Sequence, residues 1–253
     1  MSRIDDYRRA LVGLTDPEPF ALAESGLPGP RGNLELIAAL AEVTPEATLR
    51  RWAALSPAEA PGDQPPLVLA VAGIVGLGRL LDRDPRILDL LHGLAGDPRW
   101  RVREGVAMAL QAAGMADPGG LVERLRSWVS DPDPFVRRAV VAGLCEPALL
   151  RDASVAARVV AVLDALTASL VGLAERRTEP GRVLRQALGY GWSVAIIGAP
   201  AAGKAAFGRW LASPDPDIRW VVRENLGKAR LTALDRSWVA DCRARLSAAM
   251  DGD

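Results

Sequence analysis

The sequence predicts an all-α fold, and three observations lead to this prediction. Aromatic residues account for only 5% of the 253 residues, whereas Ala, Leu, Val and Arg, which together suit packed helices better than sheets, fill the long segments. Hydrophobic residues account for 49%, which is ample for a sizeable core. In the second half of the chain, apolar residues recur at every fourth position, as they do on one face of a helix.

An internal repeat organises the second half of the chain. Three clear copies align without gaps at positions 97–110, 131–144 and 213–226, and a weaker copy lies at 179–192. Equivalent arginines in these copies lie 34, 48 and 34 positions apart, and they are Arg103, Arg137, Arg185 and Arg219. Self-similarity at this period is typical of folds in which equivalent helical units stack on one another.

Each copy predicts one helix with a single buried stripe, because its apolar residues fall at i, i+4 and i+8. The predicted core residues are Val102, Val106, Leu110, Val136, Val140, Leu144, Leu184, Leu188, Trp192, Ile218, Val222 and Leu226. We expect these helices to begin near residues 100, 134, 181 and 216. An Asp or Ser followed by Pro precedes most of them, and this pair supplies a side-chain acceptor for the free backbone amides of the first turn.

The remaining segments predict the partner helices and the two ends of the chain. Partner helices of the repeat are predicted at 86–94, 120–129, 155–174 and 203–211. In the N-terminal third we expect a helical hairpin at 34–43 and 45–55, a Pro-rich loop at 56–66 and a strongly apolar helix at 67–81. A last helix is predicted at 235–250, where Trp238 and Leu246 stand among charged residues.

The repeat resembles the HEAT family of helical repeats. The resemblance rests on the pattern D-P-x-x-x-V-R, present with Asp97, Val102 and Arg103 and again with Asp131, Val136 and Arg137; Ser213, Ile218 and Arg219 stand in the last copy. It implies an α-α superhelix of antiparallel helical hairpins, whose second helices line a concave face. It also implies that the equivalent arginines form a structural ladder with neighbouring loops. We expect one solenoid over 1–253, with divergent repeats at 1–84, HEAT-like repeats at 85–231 and a capping helix at 232–253.

Charge and cysteine content narrow the class of protein. Lys and Arg number 31 and Asp and Glu number 31, so the chain falls short of the basic footprint of a duplex binder, although residues 151–230 carry 12 basic against 7 acidic side chains. Cys145 and Cys242 are 97 positions apart, and no secretory segment follows the charged start. The longest uncharged apolar runs have 12 residues, too few to span a bilayer. We expect a cytoplasmic protein without a membrane segment.

Sequence motifs for nucleotide binding, metal binding or catalysis are weak. Residues 198–205 resemble a phosphate-binding loop, but Ala205 replaces the hydroxyl residue that would hold magnesium, so we expect no nucleotide site. The single histidine, His92, lies in an apolar helical segment and is expected to be a partly buried helix residue. No metal site and no cofactor are expected.

The predicted binding site is the side of the repeat helices that points away from the buried core stripe. Helical spacing turns a set of mixed aromatic and charged side chains away from the buried stripe, and such a surface suits a peptide, a protein helix or a nucleic acid. These residues are Trp100, Arg101, Glu104, Phe135, Arg138, Gln186, Tyr190, Trp220, Glu224 and Lys228. We therefore expect a non-catalytic scaffold whose concave face binds a protein or peptide or, as the alternative partner, DNA.

An alternative function follows from a narrower resemblance. The segment 100–107 is similar to helical-repeat proteins of DNA alkylation repair, of the AlkD and AlkC types. This resemblance implies a DNA glycosylase or a damaged-DNA binder in which Trp100 contacts the lesion, Glu104 stabilises the developing sugar cation and Arg138 holds phosphate. Glu104 stands where the glycosylases have Asp.

Overall fold

The structure is a computed structural model that describes residues 2–174 and 176–251, with side chains described as far as residue 248. Over these residues the chain forms α-helices and two short 3-10 helices, and no strand occurs in the described ranges. The all-α fold class is therefore confirmed. The chain divides into two compact units, 1–113 and 114–253. One continuous solenoid stays a prediction.

The first unit is built around a helix that is buried on every side. Its helices are α1 (Arg3–Val12), α2 (Glu18–Ala23), α3 (Leu34–Val43), α4 (Glu46–Ala53), α5 (Leu67–Gly78), α6 (Arg86–Ala95) and α7 (Trp100–Gly114). All twelve residues of α5 are buried, and α5 packs against α3 and α4. A Cβ on Gly73 would lie 2.6 Å from the Ala53 amide nitrogen, so the backbones of α5 and α4 approach closely.

The second unit is arranged around its longest helix. Its helices are α8 (Pro118–Arg124), a 3-10 turn (Arg126–Ser130), α9 (Pro134–Leu144), α10 (Ala153–Ala168), α11 (Glu179–Gly198), α12 (Pro200–Gly208), a second 3-10 turn (Arg209–Ala212), α13 (Pro216–Leu226), α14 (Ala229–Leu234) and α15 (Arg236–Asp251). Helix α11 packs against α9, α10, α12, α13 and α14. The predicted helix starts near 100, 134, 181 and 216 agree with α7, α9, α11 and α13.

The predicted core stripe is confirmed at all twelve positions, each no more than 2% exposed. Two hydrogen bonds fix the relative direction of α11 and α13. Arg185 reaches Asp217 and Ser193 reaches Asn225, both across 32 positions of sequence. A constant offset means that the two helices run parallel, as equivalent helices of successive repeats do.

In two copies of the repeat, the residue that caps the helix lies two positions after the first residue of the repeat pattern. Asp133 accepts from the Phe135 amide and Asp215 from the Asp217 amide, each immediately before the proline that opens its helix. The earlier acceptors, Asp131 and Ser213, bind the amides of these capping residues instead. Tandem side-chain turns thus lead into α9 and α13.

Several elements differ from their predictions. The segments expected as helices at 120–129 and 203–211 each break into an α-helix followed by a 3-10 turn. Helix α10 ends at Ala168 instead of 174, ahead of Gly172, which has a φ of 75°. Helices α1, α2 and α14 were not predicted. No described helix combines the length and apolar character that a membrane crossing requires.

Candidate functional site

Seven of the predicted binding residues lie in the second unit, six of them on α9, α11 and α13 and Lys228 just after α13, and all of them are at least partly exposed. Phe135 and Arg138 lie on α9, which packs against α11. The others form a surface that we call the α11–α13 face, and its residues are Gln186, Tyr190, Trp220, Glu224 and Lys228. Helices α11 and α13 are in direct contact, so the predicted aromatic and charged residues on them lie on neighbouring helices of one unit.

Trp220 is the centre of the α11–α13 face, and glycine on the neighbouring helix makes room for it. A Cβ on Gly189 would lie 2.8 Å from Cζ3 of Trp220 and 3.4 Å from Cβ of Glu224. Any larger residue would therefore push the indole away. Since Gly189 stands between Gln186 and Tyr190 in sequence, the indole lies against the part of α11 that presents the other predicted residues.

Arg185 holds the indole from a second direction. Its guanidinium carbon lies 4.6 Å from the centroid of the Trp220 ring, which is a cation–π contact. The same guanidinium donates to Asp217 at 2.6 Å. Trp220 is thus held by α11 through both Gly189 and Arg185, and its ring has few alternative orientations.

A charged network at the start of α13 fixes Arg185 in turn. Arg176 donates to Asp215 at 3.0 Å and lies 3.3 Å from the carboxylate of Asp217. Asp217 is only 9% exposed, although it is charged. The acid that the repeat pattern lacks at Ser213 is supplied here by Asp215 and Asp217. This network positions the Arg185–Trp220 pair.

The equivalent arginines in two other copies bind local backbone. Arg103 donates to the Asp97 carbonyl at 2.7 Å, and Arg137 donates to the Pro132 carbonyl at 3.1 Å. Both side chains are buried. Each therefore ties its helix to the loop that precedes it and is not presented to a ligand.

Asn225 joins α13 to the backbone of α11. Its side-chain nitrogen donates to the Leu188 and Val221 carbonyls, both at 2.8 Å, and its oxygen accepts from the Ser193 amide at 2.8 Å. The side chain is fully buried. The repeat pattern assigns no role to Asn225. These hydrogen bonds, which we call the Asn225 clamp, set the distance between α11 and α13, the two helices that carry the α11–α13 face.

The charges on the face have both signs. Glu224 on α13 and Lys228, two residues past the end of that helix, form an i, i+4 pair at 3.7 Å, and Arg138 lies outside the face on α9. A row of unopposed cations, which a phosphate backbone requires, does not form on this surface among the described residues. The arrangement favours a ligand that itself carries both positively and negatively charged groups.

In the first unit, the prediction that Arg101 is an exposed binding residue is wrong. Arg101 is only 8% exposed, because its guanidinium turns into the unit and donates to the Gly29 carbonyl at 2.7 Å, the Gly62 carbonyl at 3.0 Å and Asp63 at 2.7 Å. Its guanidinium carbon also lies 4.4 Å from the Trp100 ring centroid. A long side chain can reach distant loop carbonyls from a position that helical spacing assigns to solvent.

The other first-unit candidates are more accessible. Trp100 is 48% exposed at the start of α7, and Glu104, one turn later, is partly exposed. His92 is a partly buried residue of α6, as expected. Across residues 2–174 and 176–251, no three His, Cys, Asp or Glu side chains gather in a way that would hold a metal ion.

Comparison of the chain with protein-family models, with characterised proteins and with solved structures gives no match.

Proposed function

We propose that the protein is a non-catalytic binding protein and that the α11–α13 face docks a segment of a partner protein. The observation that carries the proposal is the seating of Trp220 on Gly189 under the stacked Arg185 guanidinium. Tryptophan and arginine are enriched among the residues that dominate binding energy at protein interfaces. A ring that is already held in place loses little conformational entropy when a partner covers it.

The chemistry around Trp220 supports a polypeptide as the ligand. Tyr190 adds a second amphipathic aromatic on α11, Gln186 is an exposed amide, and Glu224 and Lys228 supply one charge of each sign. Peptide backbone amides and carbonyls match such a mixture, whereas the Glu224–Lys228 pair has no net charge to attract a phosphate backbone.

A photo-crosslinking experiment in the native host tests this proposal. A photoreactive phenylalanine analogue placed at the exposed Gln186 should form a covalent adduct with one defined protein, which mass spectrometry identifies. The adduct should be lost when Trp220→Ala is added. Trp210→Ala is the matched control, because Trp210 is also partly exposed in the second unit but donates to Asp164 instead of lining the face. Adducts to nucleic acid, or adducts that are unaffected by Trp220→Ala, would contradict the proposal.

The exposed Trp100 favours one second candidate, a DNA-repair function with Glu104 as the electrostatic group. An aromatic ring that is half open to solvent, with a carboxylate one helical turn away, is the arrangement that a base-contacting enzyme needs. Release of 7-methylguanine or 3-methyladenine from duplex DNA, lost in Glu104→Gln, would support it. Absence of duplex binding at low salt would exclude it.

A further inference from the structure

A cavity of about 480 Å³ opens in the second unit at the C-terminal end of α11. Its walls come from three places: the turn after α9, with Leu150; the end of α11, with Val194 and Ile197; and α14, with Ala233 and Leu234. This volume lies within the range of about 300 to 1,000 Å³ that small-molecule sites occupy. The cavity is large enough for a small ligand.

The lining is apolar except at one position. Of the eight residues that line the cavity, seven are apolar or glycine, and the one charged residue is Arg230. Ile197 is 42% exposed and Leu234 is 37% exposed, so apolar surface at the mouth is open to solvent. Large exposed apolar side chains beside a concave apolar wall are typical of sites that receive an apolar group.

Arg230 differs from most arginines of the second unit in having no hydrogen-bond or ion-pair partner among the residues that the structure describes. Within the described residues, its guanidinium makes no hydrogen bond and no ion pair, whereas Arg158, Arg176, Arg185 and Arg209 each pair with a carboxylate. A single cation at the edge of an apolar cavity is complementary to a ligand with one negative charge. Guanidinium forms two parallel hydrogen bonds with a carboxylate or a phosphate, and of these the carboxylate, unlike a phosphate monoester, carries the single charge that one cation balances.

The elements that present the cavity are firmly held. Leu231, next to Arg230 in sequence, is fully buried and anchors α14. At the other end of α14, Asp235 accepts from Lys204 at 2.6 Å. A Cβ on Gly198 would lie 2.6 Å from the Leu150 carbonyl oxygen, so α11 meets the turn after α9 backbone to backbone. The site is therefore formed before any ligand arrives.

We propose that this cavity binds a free aliphatic monocarboxylate, with its hydrocarbon chain against the apolar walls and its carboxylate on Arg230. One carboxylate is expected and not two, because a second charge would lie against apolar side chains without a counter-ion. The inference does not depend on the α11–α13 face, since none of the face residues lines the cavity.

Titration calorimetry with hexanoate, octanoate and decanoate, each below its micellar concentration, tests the apolar part of the proposal. We expect one saturable site per chain and an affinity that rises about fourfold with each added methylene, the gain for burying one such group. Ala233→Phe should reduce binding of every member of the series, because the ring would fill the cavity. Failure of decanoate to bind, or an affinity independent of chain length, would overturn the proposal.

The role of Arg230 is tested with 1-octanol, which has the same chain length as octanoate but no charge. Octanoate should bind the unaltered protein at least tenfold more tightly than octanol does, and Arg230→Gln should abolish this difference while leaving octanol binding unchanged. Arg236→Gln is the matched control, since Arg236 is an exposed arginine outside the cavity. Equal preference for octanoate in both variants would overturn the assignment of Arg230. Trp220→Ala should leave octanoate binding intact, so this proposal and the proposed protein-docking function fail separately.

Discussion

The side-chain oxygen of Asn225 accepts a hydrogen bond from the backbone amide of Ser193 on the neighbouring helix, at 2.8 Å. The nitrogen of the same side chain donates to the Leu188 carbonyl on that helix. One buried amide thus grips α11 at two points five residues apart. The segment between these points contains Gly189 and Tyr190, so the clamp holds in place the part of α11 on which Trp220 rests.

The clamp predicts a large loss of stability in Asn225→Ala. Truncation removes three hydrogen bonds and leaves buried backbone groups without the partner they have in the native protein, at a cost of about 2 to 3 kcal/mol. Urea unfolding followed by circular dichroism measures this change in the free energy of unfolding. Ser247→Ala, an exposed change on α15, should stay within about 0.5 kcal/mol of the unaltered protein. Equal stabilities would show that the clamp contributes nothing.

Gly189→Ala should separate stability from binding. The added methyl group would lie 2.8 Å from the Trp220 ring and would displace it. Alanine is also a better helix former than glycine, by about 1 kcal/mol. We expect the free energy of unfolding to change little and the crosslink at Gln186 to be lost. Gly93→Ala on α6, where a Cβ would meet nothing within 4 Å, is the control and should leave the crosslink intact. An unchanged crosslink in Gly189→Ala would mean that the seated ring is not needed.

Arg101 should act as a structural residue of the first unit. Arg101→Lys keeps the charge but cannot bind the Gly29 and Gly62 carbonyls and Asp63 together, so unfolding should become easier by about 1 to 3 kcal/mol. Asp63→Asn should cost under about 1 kcal/mol, because the Asp63 side chain is 77% exposed. Thermal and urea unfolding of both variants measures the difference. A Lys variant as stable as the unaltered protein would restore Arg101 as a candidate for ligand binding.

Asp84 should make stability depend on pH in the acid range. Hydrogen bonds from Arg86 and then from Arg50 lower the pKa of Asp84 from its ordinary 3.8 to about 2. A folded-state pKa below the unfolded one stabilises the protein above about pH 4, and this contribution disappears as the pH falls towards 2. The stability difference between the unaltered protein and Asp84→Asn should therefore be present at neutral pH and vanish near pH 2. Asp89→Asn on the same unit serves as the control, and a pH-independent Asp84 difference would refute the prediction.

Cys145 should report the opening of the second unit. Burial raises the pKa of its thiol from 9.0 to about 12, so the thiol stays protonated and unreactive at neutral pH. Its sulfur also lies 3.1 Å from where a Cβ on Gly191 would stand, so no reagent can approach in the folded state. In a Cys242→Ala background, iodoacetamide at pH 8 should label Cys145 only as urea unfolds the chain. Labelling of the native protein would show local opening between α9 and α11.

The core stripe was predictable because burial of a helix face depends on spacing within one helix. Val102, Val106 and Leu110 recur at every fourth position, as the residues of one helix face do, and all three are buried. The interactions between helices were less accessible to sequence reasoning. Asn225 is recognised as a clamp only when the backbone of α11 is placed beside it.

Arg101 shows a second reason why a sequence-based prediction of an exposed residue can be wrong. Its helical position points away from the stripe, but its guanidinium binds the Gly29 carbonyl, 72 positions earlier in the chain. No periodicity encodes a contact of that kind. Likewise Trp220 was predicted as a surface aromatic, whereas its seat on Gly189 depends on the register between α11 and α13.

The buried helix α5 has a consequence for synthesis of the chain. Part of its cover is made much later in the sequence, since Gly78 packs on Ala109 and Val71 lies against Gly105. The twelve residues of α5 therefore leave the ribosome before α7 exists to shield them. Nascent chains stalled between these two helices would expose an apolar, uncharged segment, and exposed surface of this kind promotes aggregation and chaperone binding.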